Sequence, residues 1–429
     1  MNRMFRASCI VVVVAMSAVW TGCGVESVSD EVSLNVLVGH WTVGHDNSPF
    51  EAAKKELERR HPGLSVVFDV QQGGGNVRSK FLTSAAAGEM PDVAMVDSVA
   101  LGEFAEAGLL TDISPFAAEW DEWEDIFENF REAGSWDGVP HGVFLNTDLR
   151  VFVWNRRHFK EVGLDPDIPP TSWDEILEYA EILNDPPRRY AMMLPGGSSE
   201  HLPHRWYSFL WGAGGEILDS DGRVAFNSPE GGRAAGFYRT LIEKEFMPID
   251  VLSTSADDND RALASGSYAM GVVGSWFFNF AREVGIRTPE EFNEKFGVSA
   301  VPGPDGGVAP SGAGGWTVVL PQGARHPELA WEFIAIAMGI DNHRMWALSQ
   351  GNVPVRESLA SESAFFEMLP FYGVIQEMLP NARTRPSVPG YPTISSELQG
   401  ALQAIMLGEL GVEGALDRAV ENANQEMGL

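Results

Sequence analysis

Cysteine is nearly absent from this chain: there are two among 429 residues, Cys9 and Cys23. Two thiols allow at most one bridge, which excludes a disulfide-built scaffold. Basic side chains are scarce as well, with 30 Lys and Arg against 60 Asp and Glu and a formal net charge of −30. That balance argues against nucleic acid as a partner and against docking on an anionic lipid surface. No Cys/His spacing resembles a zinc site, and no metal is expected. No apolar run reaches the roughly 20 residues of a membrane-spanning helix. The Gly-x-Ser-x-Gly elbow, the Gly-x4-Gly-Lys loop and His-Glu-x-x-His are missing. Gly73-Gly74-Gly75 and Gly312-Ala313-Gly314-Gly315 fail the dinucleotide pattern, so no cofactor is expected. With 44 % apolar residues the chain has ample core material, and its length suggests two or three domains or one two-lobed body.

The first residues read as targeting rather than fold. Arg3 and Arg6 precede the apolar run Cys9–Trp20, and Thr21-Gly22-Cys23-Gly24 follows. A basic start, a short apolar run and small residues describe a secretory signal over 1–22. The small residues resemble a bacterial lipobox, which would make Cys23 the lipid-modified first residue of the mature protein. Trp20 departs from that pattern, where Leu is preferred, and ordinary cleavage is the alternative. Residues 23–31 read as a short polar tether. These features predict an extracytoplasmic protein held to a membrane by lipid alone.

From residue 34 a short apolar strand alternates with an amphipathic helix. Leu34–Val38, Leu64–Val70 and Asp92–Val96 read as strands. Ser48-Pro49-Phe50-Glu51 has the form of a capping box opening a helix that Pro62-Gly63 ends. A second helix is expected around Val77–Ala87. Leu149–Trp154 is another strand, and Ser172-Trp173-Asp174-Glu175 caps a helix to about Leu183. Ala330–Met338 and Gly408–Met427 read as further helices. The alternation implies βαβ units, a mostly parallel sheet and α/β architecture.

Chemistry-bearing motifs are few. His201-x-x-His204 is interrupted by Pro203, which favours surface-loop histidines over a metal pair. Paired carboxylates could serve a glycosidase, but 60 acids make such pairs commonplace. Tryptophan says more, since a sugar's C–H face packs on the indole while Asp, Asn and Arg bond its hydroxyls. Trp331 and Trp173 read as packing residues. Trp41, Trp276 and Trp316 lie beside Gly or Thr at the ends of β-like runs, and each is open to packing or to ligand contact.

The ordered segments resemble the family of extracellular solute-binding proteins of sugar importers driven by ATP, the group that includes the maltose-binding protein. The match covers nearly everything after residue 33. It rests on Trp41, Arg60–Val66, Ala87-Gly88-Glu89-Met90-Pro91-Asp92-Val93 and Phe104–Leu110. It continues through Trp154-Asn155-Arg156-Arg157-His158-Phe159, Pro170-Thr171-Ser172-Trp173-Asp174-Glu175, Ala269-Met270-Gly271 with Gly274-Ser275-Trp276, Gly314-Gly315-Trp316, and Ala330-Trp331-Glu332-Phe333. Shared order and spacing carry it.

The resemblance implies a two-lobed periplasmic-binding-protein fold (type II) with an interdomain ligand cleft and hinge crossovers. Lobe 1 would hold 32–147 plus 298–340, and lobe 2 would hold 148–297 plus 341–429. Trp276 matches a tryptophan that stacks on sugar in the maltose-binding member, and Asp148 and Asp97 lie at or near its ligand-binding acids. Trp41 and Trp316 occupy loops that face the cleft, and Arg385 and Tyr391 lie in a segment that walls it. The implied function is capture of a mono- or oligosaccharide by a monomer and delivery to an ABC permease, with no catalysis. A polyamine or other small polar solute on the same fold, and an extracellular carbohydrate-active enzyme, are the alternatives.

Overall fold

A computed structural model describes residues 32–429; the expected signal segment, Cys23 and the expected tether lie outside the described residues. Among the described residues twelve strands follow in chain order. The first six are β1 (Val32–Gly39), β2 (Leu64–Gln71), β3 (Val93–Asp97), β4 (Ser135–Trp136), β5 (Val139–Pro140) and β6 (Gly142–Asp148). The rest are β7 (Arg150–Asn155), β8 (Tyr190–Met193), β9 (Tyr268–Gly274), β10 (Phe296–Ser299), β11 (Gly312–Val319) and β12 (Arg383–Thr384).

They build two main sheets, one per lobe. The first runs β12-β11-β3-β1-β2, with β6 on the other side of β11, and the second runs β10-β7-β9-β8. Only Leu149 separates β6 in the first sheet from β7 in the second, so the chain changes lobe there. It returns between β10 and β11. Helix Ile340–Gln350 is shared: Trp346 is buried in the first core and Ala347 against the second sheet. β12 lies beside β11, and the next helix, Tyr391–Met406, packs on the second lobe.

Local chemistry explains the elements. Ser48 Oγ accepts the Glu51 N–H at 3.1 Å and Pro49 opens helix Pro49–Arg60. The Glu51 carboxylate accepts from Gly44 N–H instead of closing the box. Ser172 caps helix Trp173–Leu183 in the same way, while Glu175 accepts from the backbone and hydroxyl of Thr171. That helix buries Trp173, Ile176, Ala180 and Leu183, one stripe of its 3.6-residue period. Trp173 donates to the Pro302 carbonyl at 3.0 Å, and Trp331 packs on Phe116 and Trp120.

The sheets are less parallel than the βαβ pattern predicts. Among the described residues four pairings are parallel and five antiparallel. The local units β1, β2 and β3 are parallel. The antiparallel members β6, β7, β10 and β11 flank the interlobe crossings, a return path that alternation along the chain does not reveal.

Candidate ligand-binding cleft

Each main sheet ends one strand in the same local device. β1 runs into Gly39-His40-Trp41 and β9 into Gly274-Ser275-Trp276. In both, the indole folds back over the glycine two residues earlier. A Cβ on Gly39 would come within 2.5 Å of the Trp41 ring, and one on Gly274 within 2.4 Å of the Trp276 ring. Only glycine leaves room for these rings.

On the first lobe, Trp41 meets Trp316 at 5.0 Å between ring centroids, tilted by 57°. Trp316 is held by β11, directly across from Asp97 on β3. It lies over Gly74, where a Cβ would approach its ring to 2.7 Å. On the second lobe, Trp276 has polar company. The Arg150 guanidinium sits 4.8 Å from its ring, a cation–π contact, and His201 meets it edge-on at 6.0 Å. Arg150 donates to Asp148 Oδ1 at 2.7 Å and to His204 Nδ1 at 2.5 Å. A guanidinium can only donate, so His204 is the neutral tautomer with its proton on Nε2.

Between these walls lies Arg385, buried and ion-paired both ways: Nη2 donates to Asp97 Oδ1 at 3.1 Å and Nη1 to Glu200 Oε1 at 2.8 Å. Glu200 also accepts from the Tyr391 hydroxyl, and from Ser395 Oγ at 2.5 Å. The seven residues expected from the sequence thus form one continuous set. Trp41 touches Trp316, Trp316 faces Asp97, and Asp97 reaches Arg385, which shares Glu200 with Tyr391. Glu200 adjoins His201, which touches Trp276, and Trp276 lies under Arg150, the partner of Asp148.

Burial sets the protonation states. It raises the Asp97 carboxyl, with Arg385 pulling the other way. It lowers the His201 imidazole to about 3, with Arg205, Arg150 and Arg385 adding to the effect. It holds His204 well below its ordinary range, with Arg150 and Arg385 adding to this. Burial opposes the Arg385 charge, but Asp97 and Glu200 outweigh it and raise its pKa well above normal. Burial raises the Tyr391 hydroxyl, and Glu200 raises it further. Both histidines are therefore neutral near pH 7.

The expectation of surface-loop histidines is corrected here. His201–Gly212 is a helix whose residues 202–211 are all buried. Pro203 falls in its first turn, where backbone N–H groups have no helical partner anyway, so the ring costs no hydrogen bond. No cluster of three metal-ligating side chains occurs among the described residues. The glycines at 312–315 also gain a reason. A Cβ on Gly314 would meet the His204 ring at 2.8 Å, Arg385 Nη2 at 3.0 Å and Asp148 Oδ1 at 3.3 Å. The strand is bare so that this cluster can close on it. Arg150, Glu200, His201 and His204 were not singled out as ligand residues from the sequence. A visible signal existed for Arg150, a charge inside an apolar strand run.

Two sheets with strand ends, paired charges and half-buried indoles meeting between them define a two-lobed binding protein. The family model for bacterial extracellular solute-binding proteins matches residues 42–341, and the chain belongs to that family. A binding protein of Brucella abortus is 26 % identical over 382 residues, covering 87 % of this chain and 89 % of its own length. The diacetylchitobiose-binding protein DasA of Streptomyces coelicolor is 24 % identical over 305 residues, 69 % of this chain and 67 % of its own. A solute-binding protein of Thermotoga lettingae, crystallised with α-D-tagatose, superposes with a TM-score of 0.81 at 28 % identity, covering 92 % of this chain and 99 % of that one. The maltose-bound MalE3 of T. maritima shares the fold at a TM-score of 0.81 and 22 % identity, again with 92 % and 99 % coverage. Among the described residues no helix is long and apolar enough to cross a membrane.

Proposed function

We propose that the protein is the lipid-anchored, extracytoplasmic sugar receptor of an ABC importer. It binds a mono- or oligosaccharide between its lobes and presents it, as a monomer, to the membrane permease without chemical change. The observation that carries this reading is the arrangement of Trp276, Trp41 and Trp316 around Asp97, Asp148 and His201. Indole faces take the C–H face of a sugar ring, and the polar atoms between them take its hydroxyls. The tagatose-bound and diacetylchitobiose-binding relatives support it. In this reading Trp41, Asp97, Asp148, Trp276, Trp316, Arg385 and Tyr391 line the site, and Cys23 carries the anchor. A second reading, a polyamine, draws on the carboxylates beside the tryptophans.

Thermal unfolding against mono- and oligosaccharides, polyamines and amino acids tests both. A sugar at 100 times its dissociation constant adds about 2.7 kcal/mol of stability, a rise of a few degrees. The Trp276→Ala protein is expected to lose that rise. A rise with polyamines alone moves the function to the second reading. Turnover of any sugar in the same samples overturns the binding assignment.

A further inference from the structure

Resting on the sugar-receptor reading, the polar atoms left over in the cleft define which sugars it takes. Five charged side chains meet there: Arg150, Arg385, Asp97, Asp148 and Glu200. Both guanidiniums are buried and charge-paired, Arg150 with Asp148 while also bonding His204 and facing the Trp276 ring, and Arg385 with Asp97 and Glu200. The guanidinium atoms that lack partners, Nε of each, are sealed from solvent. The acids are in the opposite position. Asp97 bonds protein through Oδ1 alone, to Arg385 and the Val99 N–H, and Asp148 through Oδ1 alone, to Arg150. Among the described residues their Oδ2 atoms have no protein partner, and neither is sealed from solvent, so both are open acceptors at the cleft. Among the described residues the His201 ring nitrogens bond no protein group, and the ring is neutral. The free capacity is therefore acceptor oxygen, a neutral imidazole and the uncharged indole N–H groups of Trp41, Trp276 and Trp316, with three acids against two cations.

We infer that the cleft takes saccharides carrying no anionic group and rejects uronates and sugar phosphates. Sugar hydroxyls donate to Asp97 Oδ2 and Asp148 Oδ2. An amino sugar brings an ammonium that the same oxygens accept. A carboxylate or phosphate meets those oxygens head-on and finds both cations already neutralised by protein carboxylates. To gain one it must displace Asp97, Asp148 or Glu200 from its arginine, breaking an ion pair whose guanidinium is buried. The rejection is thus built from a repulsive element as well as from missing attraction.

Calorimetric titration with matched trios tests this: the hexose, its 2-amino form and its uronate, in the glucose, galactose and mannose series, as monomers and as short oligosaccharides. The neutral or amino member of a series is expected to bind, with the uronate at least about tenfold weaker. Asp97→Asn and Asp148→Asn, which remove the repulsion and keep the shape, are expected to narrow that gap. A uronate that binds as tightly as its neutral parent overturns the inference. A gap unchanged in both variants overturns its assignment to these acids. Silence across every series, with a folded protein by circular dichroism, overturns the sugar reading itself, and the inference falls with it.

Discussion

The two Gly-x-Trp corners are alike in backbone and opposite in company. Trp41 folds over Gly39 and leans on another indole, Trp316. Trp276 folds over Gly274 and leans on Arg150, which is fixed in turn by Asp148 and His204. The first corner is held by apolar contact, which is non-directional and tolerant. The second is held by a charge network, which is directional and fails when one member is lost. The same turn thus gives one adaptable wall and one oriented wall.

The network continues below the surface, and that is where the largest effect is expected. Helix His201–Gly212 carries His201 against Trp276, His204 against Arg150 and, on the same face, the fully buried Arg205. Arg205 pairs with Asp260 at 2.7 Å, with side chains 0 % and 1 % exposed. Burial raises the Asp260 carboxyl while Arg205 opposes it. Asp260→Asn strips a buried cation of its partner and is expected to cost about 3–5 kcal/mol. Glu283→Gln, which removes one of the two exposed partners of Arg261, is expected to cost less than about 1 kcal/mol. Urea unfolding of both variants checks the contrast. Equal, small losses would mean that the second wall does not rest on buried charge.

These features were unequally legible in the sequence. Ser48 and Ser172 marked their helices because capping is local, and both helices end within a residue or two of the expected breaks. The three tryptophans stood out because glycine beside an indole at a strand end is also local. Glu200 did not stand out, since its partner Arg385 lies 185 residues away, and the Asp97–Arg385 pair spans 288. Such pairs exist only after the chain has crossed between lobes, and no spacing records them. The bare strand at 312–315 showed its glycines but not the His204 ring that requires them.

Acid sharpens the comparison at the next level of effect. His158, His201 and His204 in the second lobe all have depressed values, to about 4, about 3 and well below the ordinary range, chiefly from burial. His343, on the shared helix, sits on its first-lobe side beside Asp125 and that residue's partner Arg356, and is lowered by burial to about 3. An imidazole with a depressed folded value binds its proton more readily when unfolded. Its stabilising contribution is complete above the ordinary 6.5 and is lost as pH falls toward the folded value. Each buried ring is expected to cost about 2 kcal/mol between pH 7.5 and 5. Three such rings against one predict that the second lobe loosens first. Hydrogen exchange at both pH values reads this out, and earlier exchange in the first lobe at pH 5 would break it.

The smallest effect is the most direct comparison of the corners. Neither Gly39 nor Gly274 has a left-handed backbone, so alanine at either is free of backbone strain and differs only in the methyl group it thrusts at the indole. In Gly39→Ala the Trp41 ring is pushed off its glycine but keeps Trp316 as a platform, and apolar contact re-forms at a range of angles. The expected loss of sugar affinity is about threefold. In Gly274→Ala the Trp276 ring is pushed off both its glycine and the guanidinium of Arg150. Arg150 cannot follow, because Asp148 and His204 hold it, so the cation–π contact is lost outright. A contact of about 1 kcal/mol or more gives a loss nearer tenfold. Titration of both variants with one bound sugar measures the difference. Equal losses would mean that the ring's position on glycine, and not its neighbour, is what fixes each wall.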